Sequence, residues 1–207
     1  MLVMTTGGHF AGIVLAGGLS TRFGRDKAGE LLRGRSLLQR VLDRLDGIVD
    51  EYVVVKAAGQ ELASVYASRP ITYVEDLFPG SGPLGGVYTG LSTMAATRAV
   101  AVACDMPLLK PSLIALLRRL QPEHDAVVPL NGLPEPLCAV YAKTCIPAIK
   151  AQLQAQSYKM TSFLDALTVR YVEPAEWQRL DKDGLSFLNV NTEEELVRAE
   201  QILASGT

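Results

Sequence analysis

Phe10-Ala-Gly-Ile-Val-Leu-Ala-Gly-Gly-Leu-Ser-Thr-Arg-Phe-Gly-Arg-Asp-Lys27 sets the frame for the whole chain. Phe10–Leu15 is a short apolar run that breaks into glycine, the pattern of a buried strand delivering its chain into a turn. At Gly17 and Gly18 no Cβ stands between the backbone and a bound group. Successive exposed N–H groups in such a turn make an anion-binding concavity. Ser20 and Thr21 add hydroxyl donors, Arg22 a planar fork of donors, and Lys27 a compact charge. A triphosphate asks for this combination: amides for its oxygens, and cations for charge that grows in the transition state. The competing reading is a plain strand-to-helix turn with solvated charges, and glycines alone would not displace it. Walker A spacing fails because no Gly-Lys pair occurs in the chain, and GxGxxG does not occur in this loop.

Outward from that loop, short β-branched runs alternate with helical patterns. Ser36–Leu45 has Leu37, Leu38, Val41, Leu42 and Leu45 at helical spacing, with Ser36 as N-cap. Tyr52–Val55 predicts a strand, Gln60–Ser68 a helix, Ile71–Val74 a strand, and Leu84–Ala96 a helix introduced by Gly-Pro. Ala99–Ala103 predicts a fully apolar strand, Pro111–Leu120 a helix with proline in its first turn, and Ala126–Pro129 another strand. This order implies an α/β protein: an open, mainly parallel sheet with helices on both faces. Ligands of such sheets sit beyond the carboxyl ends of the strands, so segments 16–27 and 104–107 are expected to meet on one edge. After residue 130 the pattern loosens. Asn131-Gly132 signals a tight turn joining antiparallel strands 126–129 and 136–141. Helical stretches are expected at Ile146–Gln156 and Met160–Leu167, strands at Thr168–Val172 and Phe187–Asn191. Thr192 with Glu195 makes a capping box that opens a last helix to about Leu203. No repeat or linker interrupts the chain, which predicts one domain over 1–207. Its N-terminal half would bind nucleotide and its C-terminal part would contribute to an acceptor site.

Three further segments carry chemistry. In Ala103-Cys-Asp-Met-Pro107, Asp105 follows a buried strand and faces the expected crevice. A carboxylate there suits magnesium, which binds through one or two carboxylates plus phosphate oxygens. Capping of the helix near 110 is the alternative role. Val74-Glu-Asp-Leu-Phe-Pro-Gly-Ser-Gly-Pro-Leu-Gly-Gly86 is a shaped loop whose backbone could read a base edge, with Asp76 accepting from one; a long surface loop is the alternative. In Phe187-Leu-Asn-Val-Asn-Thr192, Asn189 and Asn191 would share one face of a strand and donate to an acceptor substrate, unless Asn191 only helps cap the last helix. His9 and His124 have no partner pattern, and no Ser/His/Asp or Cys/His arrangement suggests covalent catalysis.

The composition bounds the partners. The 207 residues are 48% hydrophobic with a formal net charge of −2. No global field recruits nucleic acid or an anionic membrane, so a polyanionic substrate must be held by local donors. Cys104, Cys138 and Cys145 are odd in number and show no CxxC spacing, which fits a reducing cytosol. Met1–Phe10 lacks the basic n-region of a signal peptide, and the apolar runs fall far short of the ~20 residues that span a bilayer. A cytoplasmic protein is the expectation.

Together these segments resemble one family. Leu15-Ala-Gly-Gly-x-Ser-x-Arg-x-Gly-x-Asp-Lys27 is similar to the signature loop of molybdenum cofactor guanylyltransferases, LAGGxSxRMGxDK. Gly82-Pro-Leu-Gly-Gly86 resembles that family's GPLAG, Cys104-Asp-Met-Pro107 its CDxP, Pro136-Leu137 its Pro-Leu step before a strand, and Asn189-Val-Asn-Thr192 its NxNTPEDL. The first motif is shared by nucleotidyltransferases generally; the combination is specific. The resemblance implies a Rossmann-like nucleotidyltransferase fold. It implies transfer of GMP from GTP to the terminal phosphate of molybdopterin, with magnesium as cofactor. Carried over by position, Leu15, Ala16, Gly17 and Gly18, Lys27, Asp76, and Gly82, Pro83 and Leu84 would contact GTP. Asp105 would hold the metal and also contact the nucleotide, and Asn189 and Asn191 would lie toward the pterin. Arg22 and Lys27 would stabilise the leaving pyrophosphate, so that Arg22, Lys27 and Asp105 form the catalytic set. Ala16-Gly17-Gly18 and Gly82-Pro83-Leu84 favour guanine over cytosine, since related cytidylyltransferases tend to show LAAG and lack GPLxG. Phe23, Gly85, Glu193 and the Lys56-Ala-Ala-Gly59 stretch depart from the usual pattern; where that stretch lies, the family often has an asparagine near the nucleotide. Transfer to another acceptor (a sugar or polyol phosphate), cytidylyl transfer to molybdopterin, and GTP binding without catalysis are the alternatives. Transient contacts with other proteins of cofactor biosynthesis are also open.

Overall fold

Alternate residues of the apolar runs go to opposite sides of one sheet, and this alternation organises the computed structural model, which describes residues 8–17 and 27–205. In chain order the elements are β1 (Phe10–Leu15), β2 (Leu31–Leu32), β3 (Arg35–Ser36), α1 (Leu37–Leu45), β4 (Glu51–Lys56), β5 (Ile71–Glu75), α2 (Pro83–Thr93), β6 (Arg98–Ala103), α3 (Pro111–Leu120), β7 (Ala126–Asn131), β8 (Leu133–Pro134), β9 (Ala139–Ala142), α4 (Ile146–Gln154), β10 (Val169–Val172), α5 (Pro174–Trp177) and α6 (Glu193–Ala204). The main sheet runs β10-β7-β9-β6-β1-β4-β5, with β8 beside β7. β9 is antiparallel to both neighbours, and every other pair along this path is parallel. The expected α/β fold, mainly parallel with helices on both faces, is what the chain forms.

On one face Val14, Val54, Val100 and Val102 pack with Leu38 and Leu42 of α1 and Leu113 and Leu117 of α3. On the other, Ile13, Val53, Val55 and Ala101 pack with Leu84, Val87 and Leu91 of α2 and Ile149 of α4. α2 lies very close to β1: a Cβ at Gly90 would sit 2.4 Å from Ile13 Cγ2. Glycine in a helix costs about 1 kcal/mol relative to alanine; here the missing Cβ is what lets helix and strand touch. A smaller cluster of Leu32, Leu37, Leu108, Leu185, Val190 and Ala199 fastens α6 to β2 and to the loop after β6. The chain reverses direction across the sheet between β1 and β6, the kind of switch point at which open α/β sheets bind ligands.

Several local expectations hold. Ser36 Oγ accepts from Gln39 N at 3.2 Å. Thr192 and Glu195 exchange both capping-box bonds. The Asn131-Gly132 turn, with Gly132 at φ +74°, joins β7 to β8, and the chain returns antiparallel to β7 in β9.

Three expectations fail. Gln60–Ser68 forms neither helix nor strand. Its partners are side chains: Gln39 Nε2 donates to Tyr66 O and Gln39 Oε1 accepts from Tyr66 N. Leu62, Val65 and Ala67 pack on the α1 side of the core, so tertiary contacts override helix-forming composition. Met160–Leu167 contains only a 3-10 turn at Leu164–Ala166. Phe187–Asn191 is no strand: a 3-10 turn ends at Phe187, and Val190 N bonds the carbonyl of Asp105 instead of a ladder partner. The burial along Phe187–Asn191 does not alternate as a strand would: Phe187 and Val190 are buried and Asn189 is exposed. Among the described residues no helix is long and apolar enough to cross a membrane, and all three cysteines are buried.

Candidate active site

β1 and β6 end side by side, and a bond from Cys104 N to Leu15 O (3.0 Å) carries their registration past the last ladder pair. Asp105 stands next. Its main chain is held from the far end of the molecule, since Val190 N donates to Asp105 O at 2.8 Å. The loop continues to Lys110, whose N–H is taken by Ser186 Oγ at 2.9 Å. Ser186 is fixed by Asp181, a buried carboxylate that accepts from Leu185 N and Ser186 N. Asn191 is oriented by the capping box, where Glu195 Oε2 accepts from the N–H groups of Asn191 and Thr192. Lys27 opens a short 3-10 turn anchored in the core by Ala28.

These three side chains converge. Lys27 Nζ lies 2.5 Å from Asp105 Oδ2 and 2.5 Å from Asn191 Oδ1. The expected meeting of 16–27 with 104–107 is therefore made through Lys27, and Asn191 joins it. Asp105 Oδ1 is buried and has no hydrogen-bond partner among the described residues. A buried carboxylate oxygen without a donor is costly, and the donor chemistry suits a hard cation that keeps its other ligands from phosphate and water. Among the described residues no group of three or more acidic, histidine or cysteine side chains is placed to hold a metal ion. Asn189 is exposed. Gly18, Ser20, Thr21 and Arg22 lie outside the described residues.

At the same carboxyl edge of the sheet is a cavity of about 400 Å³ between the ends of β1 and β4 and the loop before α2. Its size suits a small organic ligand. Leu15, Gly17, Lys56, Asp76, Gly82 and Pro83 are among its walls. Gly80 and Gly82 take φ of +85° and +65°, conformations that glycine adopts without strain. Asp76 shapes the loop: its Oδ1 accepts from Phe78 N (3.0 Å) and Thr89 Oγ1 (3.1 Å). Leu84 is fully buried in the core and is not part of the wall. Gly17 touches the opposite wall, since a Cβ there would stand 2.8 Å from Ala57 N.

Two features differ from the sequence reading. The amides of Ala16 and Gly17 both donate to Val55 O, at 2.8 and 3.1 Å, so neither N–H is left exposed as the turn suggested. The carbonyl of Ala16 accepts from Gln60 Nε2, whose Oε1 takes Ala57 N. Gln60, Lys56, Asp181 and Ser186 were all missed. The signal for Gln60 was hidden by its helix-like neighbours. The 74–86 loop also held an unread one: Gly80-Ser-Gly-Pro-Leu-Gly85 has GxGxxG spacing between a strand and a helix.

The model of the MobA-like NTP transferase domain matches residues 12–171. The chain belongs to the MobA-like NTP transferase family. The molybdenum cofactor guanylyltransferase of Desulfosudis oleivorans is 34% identical over 206 residues, covering 94% of this chain and 96% of that one. The crystal structure of molybdopterin-guanine dinucleotide biosynthesis protein A from Archaeoglobus fulgidus superposes with a TM-score of 0.80 at 29% identity, over 95% of this chain and 99% of that one. The Thermus thermophilus 2-C-methyl-D-erythritol 4-phosphate cytidylyltransferase, at 15% identity and a TM-score of 0.72 over 93% and 98% of the two chains, shares the fold. The protein is thus a nucleotidyltransferase with the sheet of that enzyme class. Within the MobA-like pattern, Gly85 in place of the usual alanine has a local cause: a Cβ there would meet Ser81 Oγ at 2.1 Å and Phe78 O at 2.9 Å. At the Lys56-Ala-Ala-Gly59 stretch, Ala57 and Ala58 line the cavity directly.

Proposed function

We propose that this chain, acting as one domain, transfers GMP from GTP to the terminal phosphate of molybdopterin. An oxygen of the acceptor phosphate bonds to the α-phosphorus, the bond to the β-phosphate oxygen breaks, and pyrophosphate leaves. The observation that carries the reading is the convergence of Lys27, Asp105 and Asn191 at the sheet edge that also opens the cavity of about 400 Å³. The guanine base would occupy that cavity between Gly17 and the loop around Gly82, leaving the phosphates at Lys27. Lys27 would neutralise charge on the leaving pyrophosphate, with Arg22 assisting as the family resemblance implies. Asp105 would hold Mg²⁺ through its unpartnered Oδ1; the ion supplies charge neutralisation on phosphate oxygens when bound. The acceptor phosphate is already ionised, so positioning and electrostatics suffice. Asn191 is read as a residue that orients Lys27 at the acceptor side.

The test is pyrophosphate release by the purified full chain with Mg²⁺. GTP and CTP are each paired with molybdopterin, a sugar 1-phosphate and a polyol phosphate. Release with GTP and molybdopterin alone is expected. Preference for CTP, or for a sugar phosphate, would overturn the substrate assignment. GTP binding without release from any pair would make the chain a regulator.

A further inference from the structure

One wall of the cavity is fastened by a side chain that lies behind it. Ala57–Gln60 is a β-turn that follows β4, closed by Gln60 N to Ala57 O at 3.1 Å, with Gly59 at φ +69°. The turn brings the Gln60 side chain back to its own first residue. There Oε1 accepts from Ala57 N at 2.9 Å, and Nε2 donates to Ala16 O at 3.1 Å. A backbone N–H can only donate and a backbone carbonyl can only accept, so a group that bridges this pair must carry one acceptor and one donor. A carboxamide does; a carboxylate does not.

The bridge falls where two walls of the cavity meet. Leu15 and Gly17 line it from the end of β1, and Lys56, Ala57 and Ala58 from the end of β4. A Cβ at Gly17 would stand 2.8 Å from Ala57 N, the nitrogen that Gln60 Oε1 receives. Main-chain bonds from Ala16 N and Gly17 N to Val55 O join the same two segments. Gln60 is itself held in place. Lys56 Nζ donates to Gln60 O at 2.8 Å and lies 3.5 Å from Glu75 Oε1, which also accepts from Gly59 N at 3.0 Å.

We propose that Gln60 is a positioning residue for the nucleotide: its carboxamide locks the turn after β1 to the turn after β4 and so presets the width of the cavity. A wall fixed before binding spares the ligand the cost of ordering it. The bonds of Gln60 to Ala16 and Ala57 touch neither Lys27 nor Asp105, so the lock acts on nucleotide affinity rather than on the transfer step. The inference deepens the nucleotide reading of this cavity and rests on it.

The test measures GTP and CTP binding to the full chain with Mg²⁺ by calorimetry, and turnover with molybdopterin, in wild type, Gln60→Glu and Gln60→Met. Gln60→Glu keeps the shape but sets a second oxygen against Ala16 O. Near neutrality it should weaken GTP binding by about tenfold. The KM for GTP should rise in step, while kcat at saturation and the KM for molybdopterin stay near wild type. A protonated carboxyl regains a donor, so the deficit relative to wild type should shrink as pH falls toward the glutamate range of about 4.3. Gln60→Met offers neither partner and should be weakened alike at every pH. The neighbouring charges, Lys56 and Glu75, are common to all three proteins. Equal GTP affinity in the three, a Gln60→Glu deficit that pH does not change, or a loss carried by kcat with an unchanged KM for GTP overturns the inference and leaves the transfer reading standing. Binding of CTP in place of GTP, weakened in the same pattern by both variants, would do the reverse for the guanine assignment. No binding of either nucleotide by wild type overturns both.

Discussion

Replacing Lys27 by methionine keeps most of the side-chain volume and removes a cation that touches both Asp105 and Asn191. Two costs follow, and they separate. The ion pair is mostly out of solvent, with Lys27 and Asp105 side chains 16% and 15% exposed. Removing one partner of a fully buried pair costs about 3–5 kcal/mol. Residual exposure discounts this to about 1–3 kcal/mol, which lowers Tm by roughly 2–10 °C in a chain of this size. The second cost is catalytic: losing one preorganised charge from the transition state lowers kcat by about 100- to 1000-fold, or roughly 3–4 kcal/mol. A double-mutant cycle divides the two. Asp105→Asn in the Lys27→Met background removes the orphaned charge and should restore much of the lost Tm, while pyrophosphate release stays at or below the single-mutant level. The assays are thermal unfolding and single-turnover pyrophosphate release at saturating GTP and molybdopterin. Turnover by folded Lys27→Met within about fivefold of wild type, well short of the expected loss, would refute the assignment of Lys27 to the reacting phosphates.

Gly17→Ala places a Cβ against the backbone of Ala57 at 2.8 Å, and neither wall can yield cheaply. The KM for GTP should rise by about tenfold or more, corresponding to ~1–3 kcal/mol of overpacking at the cavity wall, while the KM for molybdopterin changes little. Asp125 ties three pieces together, accepting from Thr144 Oγ1 at 2.5 Å and Thr168 N at 3.0 Å. The Thr144 hydroxyl, followed by the Thr168 N–H, holds its carboxyl below the usual aspartate range. A depressed value means the contribution is complete above the unfolded aspartate value of about 3.9 and is lost as pH falls through the folded one. Asp125→Asn should therefore lower Tm by about 2–4 °C near neutrality, and the difference from wild type should shrink in acid; a difference that widens as pH falls would contradict this.

The sheet was legible because its strands are short apolar runs buried on both faces, a pattern that survives without long-range information. Phe10–Leu15 and Pro111–Leu120 keep the bounds their sequences suggest. Gln60–Ser68 was not legible, since its conformation is decided by the Gln39 amide 27 residues away from Tyr66. The same distinction holds in the site. Lys27 and Asp105 announce themselves by residue type in the segments that follow β1 and β6. Asp181 and Ser186 do not, because their role is to hold other backbone groups through bonds that only the folded chain creates. The amides of Ala16 and Gly17 show the converse error: glycine predicted open backbone, but the chain spends those donors on Val55 to close the turn.

The C-terminal segment holds the loop that carries Asp105. Asp105 receives its main-chain bond from Val190, and Lys110 at the far end of the same loop is bonded by Ser186. Asn191, one residue from Val190, reaches the ammonium that Asp105 also binds. A displacement of 185–191 would therefore move the carboxylate, the lysine and the Asn191 amide together. The helix that follows is capped by Thr192 and Glu195, and Glu195 also accepts from Asn191 N. Capping at that junction thus fixes Asn191 where it meets Lys27. In a reaction that needs its two phosphates aligned rather than a strong base, this shared anchorage is where positional precision is set.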